Sequence, residues 1–276
     1  MFMNLFTPDE ILQNYAEIGA KKASGTAKRL MIMGLLAGFL VGIASAGANM
    51  ASHSVENASA ARTISGLLFP FGLGIIMLIG AELFTGNTMI AISVWEKKTS
   101  VKKMLRNWAL VYSGNFIGSA LLAAACVYCG HLNYSNGALA LYTIKIAAYK
   151  CSLDFGPAVV MGILCNLLVC LGVLCSLSAK DAAGRVIGAY MPVVFFVLCA
   201  FEHSVANMYY IPAGIFAAQN PVYAQKALEA GINISNLTWG GFIVRNLVPV
   251  TIGNIIGGVM LAYALWTCNR KQRQAP

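Results

Sequence analysis

The chain carries one sequence pattern twice, and that repetition narrows its architecture more than any other property. Residues 106–118 read R-N-W-A-L-V-Y-S-G-N-F-I-G, and residues 245–257 read R-N-L-V-P-V-T-I-G-N-I-I-G. Arg, Asn, Val, Gly, Asn, Ile and Gly recur at the same seven offsets within otherwise apolar segments. Upstream, M-G-L-L-A-G-F-L-V-G at 33–42 matches M-G-I-L-C-N-L-L-V-C at 161–170. Between these, Glu82-Leu-Phe-Thr-Gly-Asn87 matches Glu202-His-Ser-Val-Ala-Asn207, with Glu and Asn five apart in both. The three pairs occur in the same order, so the chain reads as a duplicated unit, a plan common to small-solute membrane conduits.

The environment of that unit follows from composition. Of 276 residues, 58% are hydrophobic and 11% charged, with mean hydropathy +0.70. Soluble domains carry about 25% charged residues, so the chain is an integral membrane protein. Its net charge of +9 does not indicate nucleic acid, because the basic residues flank apolar spans and form no stripe with stacking aromatics. Cys165, Cys170, Cys175 and Cys199 lie within apolar spans and read as small core residues. Cys126 and Cys129 form a C-x-x-C at a helix end without a redox-type fold around it. The short, polar, amphipathic N-terminus does not read as a cleavable signal peptide.

Apolar windows predict six helices over about 30–48, 64–95, 108–129, 156–178, 186–219 and 246–267. The second and fifth windows are interrupted, by E-L-F-T-G-N-T after Ala81 and by E-H-S-V-A-N after Phe201. Lipid cannot satisfy loose backbone groups, so such breaks survive only where protein buries them or a cavity adjoins them. Lys and Arg counts orient the chain. Fourteen lie in segments 21–29, 97–106, 180–185 and 270–273, and five (Arg62, Lys145, Lys150, Lys226, Arg245) fall on the other side. Both termini are therefore expected in the cytoplasm. Three helices per unit, an odd number, make the two units inverted, and their breaks meet near the bilayer midplane. The expected organisation is an amphipathic cytoplasmic helix within 1–29, a channel domain over 30–268 with repeats about 30–130 and 150–268, and a basic tail over 269–276. In the first of these, Ile11, Leu12, Tyr15, Ile18 and Gly19 suggest a helix lying along the cytoplasmic face, as a surface anchor or as a gate.

Ionisable residues inside spans are costly and mark function by default. His203 stands in the second break beside Glu202, either bonded into a buried network or handling a proton. Glu82 and Glu202 are symmetry mates, and a structural role is expected, accepting backbone N–H groups freed by the breaks. Lys150 precedes the fourth span in a re-entrant loop, and reads either as a snorkelling residue or as an anion attractor. Asn166 and Asn207 can bond each other, His203 or a solute, while Asn115 and Asn254 in the repeat motif look like helix-packing residues.

Together E-L-F-T-G-N, F-E-H-S-V-A-N-M with the following I-P-A-G, and N-L-V-P-V-T-I-G-N-I-I-G resemble the formate/nitrite transporter family, which also includes hydrosulfide channels. The resemblance runs over essentially the whole chain. It implies an all-α, aquaporin-like fold with six helices per protomer, broken helices 2 and 5, and a homopentamer with one pore per protomer. It implies a substrate pathway through His203, Lys150, Asn166, Asn207 and Thr85. It further implies an outer constriction of Phe69, Leu73 and Phe196, and an inner one of Leu83, Phe84 and Val169. Gly86-Asn87 departs from the small-hydroxyl run of some formate channels. No cofactor or metal and no enzymatic activity are implied. The implied partners are the lipid bilayer, a proton, and one small anion among formate, nitrite and hydrosulfide, with formate preferred. The implied location is a prokaryotic cytoplasmic (inner) membrane.

Two other classes fit less well. A water or glycerol channel shares the inverted plan, but needs paired N-P-A breaks. A membrane enzyme needs a metal or nucleophile cluster, and His53 and His131 stand without partners at ligand spacing. Greasy constrictions also favour passage as a neutral acid, since a bare anion there costs several kcal/mol in desolvation.

Overall fold

A computed structural model describes residues 4–273, and apart from one antiparallel bridge between Leu5 and Ala179 their secondary structure is helical. Helix α1 (Pro8–Ala23) begins on a capping box, with Thr7 and Glu10 each accepting the other's backbone N–H, and it carries Lys21 and Lys22 in its last turn. Its apolar face is docked on protein, rather than resting on a lipid surface. Leu12, Tyr15, Ala16, Gly19 and Ala23 are buried, and a Cβ added at Gly19 would lie 2.2 Å from Ser93 Oγ. The small residue at that crossing is what allows so close an approach.

The long helices α2 (Ala27–Ser52), α7 (Val101–Tyr128), α9 (Phe155–Ser178) and α14 (Val248–Arg273) form two equivalent pairs, α2 with α7 and α9 with α14. Both pairs interlock through glycines of the repeated motif. A Cβ at Gly38 or Gly118 would lie 2.0 Å from a carbonyl oxygen of the facing helix, and one at Gly253 or Gly257 would lie 2.1 or 2.3 Å away. Side chains at these positions would push the backbones apart, which explains why Gly stands at matching offsets in both motifs. The end of the tail expected over 269–276 lies outside the described residues.

The second apolar window is α3 (Ala58–Leu68), α4 (Phe71–Ile79), a break, and then α5 (Phe84–Asn87), a 3-10 turn and α6 (Ala91–Trp95). The fifth is α10 (Ala182–Leu198), a break, and α11 (Ser204–Ala218). The breaks are built alike. Helix α4 ends at Gly80 with φ +70, and Ala200, just past the end of α10, has φ +57. In each, the next amide closes back on the last turn: Ala81 N donates to Ile76 O at 3.2 Å, and Phe201 N donates to Phe196 O at 3.1 Å.

Three elements were not foreseen as helices: α8 (Ala138–Cys151), α12 (Pro221–Glu229) and the short α13 (Trp239–Gly241), which leads through a π-helical segment, Phe242–Leu247, into α14. Lys150 therefore sits in the last turn of α8 and not in a re-entrant loop. With Leu139, Ala140, Ile144 and Ala147 buried, α8 packs against α11 inside the protein, and an apolar run too short to span a membrane forms a helix there.

Candidate functional site

The two breaks are stapled by identical networks. Asn115 Nδ2 donates to Gly34 O (2.7 Å) and Glu82 O (2.9 Å), and its Oδ1 accepts Phe84 N (2.9 Å). Asn254 Nδ2 donates to Gly162 O (2.8 Å) and Glu202 O (3.0 Å), and its Oδ1 accepts Ser204 N (2.9 Å). These two motif asparagines, read from sequence as packing residues, satisfy the backbone at the start of each half-helix.

The carboxylates do something other than expected. Glu82 and Glu202 accept side-chain donors, not the freed backbone N–H groups. Glu82 receives Lys22 Nζ (3.0 Å), Arg29 (3.1 Å) and Asn87 Nδ2 (2.8 Å). Glu202 receives Lys150 Nζ (2.7 Å), Asn207 Nδ2 (2.7 Å) and Asn246 Nδ2 (3.1 Å). Each carboxylate is about 1% exposed, and its lone pairs are occupied by two cations and an amide at Glu82 and by one cation and two amides at Glu202, the pairing that lets a charge sit inside protein. The amide of the neighbouring helix, which needs no charge, is left to cap the backbone.

Within this scheme Lys22 is the counterpart of Lys150. Asn107 Nδ2 donates to Lys22 O, and Asn246 Nδ2 donates to Lys150 O, both at 3.0 Å. Asn107 Oδ1 receives Asn87 Nδ2 (3.0 Å), as Asn246 Oδ1 receives Asn207 Nδ2 (2.6 Å). Sequence reading gave no role to Lys22, Asn87, Asn107 or Asn246. The available signal was positional, since the two asparagines that follow Arg106 and Arg245 open the repeat, and K-x-S recurs at 22–24 and 150–152.

Two cavities approach these networks from opposite ends. The one beside Lys150, about 400 Å³, is lined by Lys150, Glu202, His203, Asn207, Phe69 and Phe196. Phe69 and Phe196 meet edge to face at 5.6 Å, and Phe196 stacks on His203 at 5.7 Å. The other, about 430 Å³, opens beside α1 and reaches Leu73, Leu83, Glu82 and Val173. Leu73, expected with the outer ring, thus faces the α1-side cavity. Phe84, Val169 and Asn166 line neither cavity. Phe84 is buried edge-on against Trp108 and Tyr112, and Val173, one turn beyond Val169, takes the lining position.

A polar contact links the two sides: His203, which lines the first cavity, meets Thr85, which directly precedes Gly86 of the second cavity's lining, Nε2 to Oγ1 at 2.9 Å. His203 is the N-cap of α11, and its Nδ1 accepts the N–H of Ala206 at 3.0 Å. An accepting Nδ1 carries no proton, so the neutral ring has its proton on Nε2 and donates it to Thr85. The Thr85 hydroxyl hydrogen remains available. Thr85 is itself held through its carbonyl, which accepts Thr88 Oγ1 (2.6 Å), Asn166 Nδ2 (3.2 Å) and Cys170 Sγ (3.5 Å). Asn166 and Asn207 do not bond each other, and each keeps a buried Oδ1 without a protein partner. Among the described residues no three His, Cys, Asp or Glu side chains converge as a metal would require.

This arrangement has known relatives. The formate/nitrite transporter family model matches residues 9–267. An uncharacterized transporter, YrhG, from Bacillus subtilis (strain 168) is 37% identical over 92% of this chain and 89% of its own length. The formate channel BtFdhC of Bacillus thuringiensis is 34% identical over 98% of both chains. A solved pentameric formate channel with formate bound superposes with a TM-score of 0.78 at 32% identity, covering 88% of this chain and 97% of that one. With duplicated breaks, a paired His and Thr between two cavities, and sequence relatives along its full length, the chain belongs to the formate/nitrite transporter family.

Proposed function

We propose that this protein is a membrane channel for small monovalent anions of weak acids, with formate as its substrate and a proton accompanying it. The observation that carries the reading is the His203–Thr85 contact between the two cavities. An anion is drawn into the outer cavity by Lys150, whose ammonium uses one bond on Glu202 and has others to give. It then meets apolar Phe69 and Phe196, where charge is costly and a neutral acid is not. The proton is taken from the acidic bulk, carried by water in the outer cavity, and is released again on the far side. His203 stays neutral, because protonating Nδ1 would set two donors against each other at Ala206 N–H. Its Nε2–H holds Thr85, whose hydroxyl supplies the donor at the narrow point, and the acid passes Leu83 and Val173 and ionises again beyond them.

The assembly is a homopentamer in a prokaryotic cytoplasmic (inner) membrane, with both termini in the cytoplasm and no enzymatic activity. The grouping of basic segments at one end of the molecule supports the orientation. Lys98 pairs with Glu17, Trp266 donates to Glu96 (2.8 Å), and Lys180 N donates to Asn4 O (3.1 Å). In this reading α1 and α8 are the opening helices of the two repeats, each placing its lysine, Lys22 or Lys150, on the acid of a break.

Uptake of labelled formate, nitrite, hydrosulfide and glycerol into proteoliposomes tests the reading, with acid outside. Formate is expected to exceed glycerol by at least about tenfold, the discrimination of a site that rejects a solute lacking the right polar match. His203→Asn keeps a neutral donor and a good N-cap, so it retains acid-stimulated uptake. His203→Phe removes both and loses it. A folded His203→Asn pentamer that carries nothing would show that a titrating imidazole is required, contrary to the mechanism.

A further inference from the structure

We propose that the α1-side cavity is also a binding site for a compact multivalent phosphate anion of the inorganic pyrophosphate class, which plugs the channel from that side alone. The proposal rests on the reading of this cavity as one end of the conduction path.

Charge and size both point to a ligand larger than the substrate. Lys21, Lys22, Arg29 and Arg185 line this cavity with a single acid, Glu82, a balance of four minus one, or +3. The outer cavity holds Arg62, Lys145 and Lys150 against Glu56 and Glu202, three minus two, or +1. The two ends are equivalent in their buried networks and unequal in the charges around them. Glu82 is committed to Lys22 and Arg29. Lys21 makes no ion pair among the described residues, and Arg185 donates only its Nε, to Ala179 O at 3.3 Å, so its terminal nitrogens are free to take two oxygens of a phosphate group. A cavity walled by low-dielectric protein focuses such a field.

The volume, about 430 Å³, is more than ten times the roughly 30 Å³ one water occupies in the liquid. That is far more than a three-atom monocarboxylate needs. The cations come from α1, α2 and α10, so they surround the space, whose floor is Leu83 and Gly86 at the break. A ligand held there lies across the path. It cannot follow the substrate, because a multivalent ion does not become neutral at moderate pH and the floor is apolar. A phosphate headgroup of an anionic lipid shares this chemistry. The floor at the break favours the soluble form.

The test uses the full chain and its double variant Lys21→Gln/Arg185→Gln, in inside-out and right-side-out membrane vesicles. Formate uptake is measured against graded pyrophosphate, with ionic strength matched by potassium chloride because exposed charges are screened by salt. Inhibition is expected to be at least about tenfold more potent in inside-out vesicles, where the +3 end faces the bath. The double variant should keep uninhibited uptake and lose most of that potency. Calorimetry of pyrophosphate with detergent-purified protein reads binding without any flux, so a protein that binds pyrophosphate but carries no formate would fail the channel reading and not this one. Equal inhibition from both faces, or unchanged affinity in the double variant, overturns the proposal. So does inhibition that requires cardiolipin in reconstituted phosphatidylcholine vesicles and is absent with soluble pyrophosphate.

Discussion

Asn254→Ala tests whether the amide staple holds the second break. Asn254 is fully buried and its amide makes three bonds, to Gly162 O, Glu202 O and Ser204 N, at 2.8–3.0 Å. Alanine removes all three bonds, and leaves Glu202 O and Ser204 N at the break without the amide that satisfies them. At about 1 kcal/mol for each hydrogen bond lost, the cost is about 3 kcal/mol. For a chain of this size that corresponds to a fall of roughly 6–12 °C in apparent Tm. The freed Ser204 N–H also sits next to His203, so α11 loses its fixed start and the His203–Thr85 contact loosens. The assay is pentamer retention by size-exclusion chromatography after graded heating, paired with formate uptake at matched pentamer yield. Asn115→Ala should show the same thermal loss, since its three bonds match in partner type and length. Its effect on uptake should differ, because the residue equivalent to His203 there is Leu83. If Asn254→Ala melts within about 2 °C of wild type, well under the shift expected per kcal/mol summed over three groups, the staple argument is wrong.

Two further outcomes follow from particular residues. Leu83→Ala, at a side chain 5% exposed that lines the α1-side cavity, removes about three carbons of bulk and should raise acetate uptake relative to formate, at a cost of about 2–5 kcal/mol in stability; an unchanged acetate-to-formate ratio in pentameric protein would remove Leu83 from the selective step. Ala200→Gly relieves a left-handed residue (φ +57) at the position where the first repeat has Gly80, so it should raise apparent Tm by the equivalent of about 1 kcal/mol, and a lowered Tm would show that Ala200 is not strained.

Much of this architecture was legible in the sequence because it follows from composition and spacing. Long apolar spans, two polar interruptions and the Lys and Arg asymmetry each depend on residues close together in the chain. The glycine offsets in R-N-x6-G-N-x-I-G likewise record a demand each helix makes locally, the absence of a side chain where another backbone passes. His203, Lys150 and the paired acids were visible because an ionisable group inside a span is costly wherever its partner lies.

Partner choice was not legible. Nothing in the spacing of Glu82 says that it meets Lys22, 60 residues earlier, and Arg29, or that backbone capping falls to Asn115. Helix α1 was read as an interfacial segment because amphipathicity is the same whether the apolar face meets lipid or protein. Helix α8 was read as a loop because 14 residues are too few to span a membrane, and only a surrounding protein wall makes such a length stable. The equivalence of Lys22 and Lys150 arises where α1 and α8 fold back against their breaks. Local sequence dictates which residues must avoid lipid, while the contacts that satisfy them join segments distant in the chain and exist only once the helices have packed.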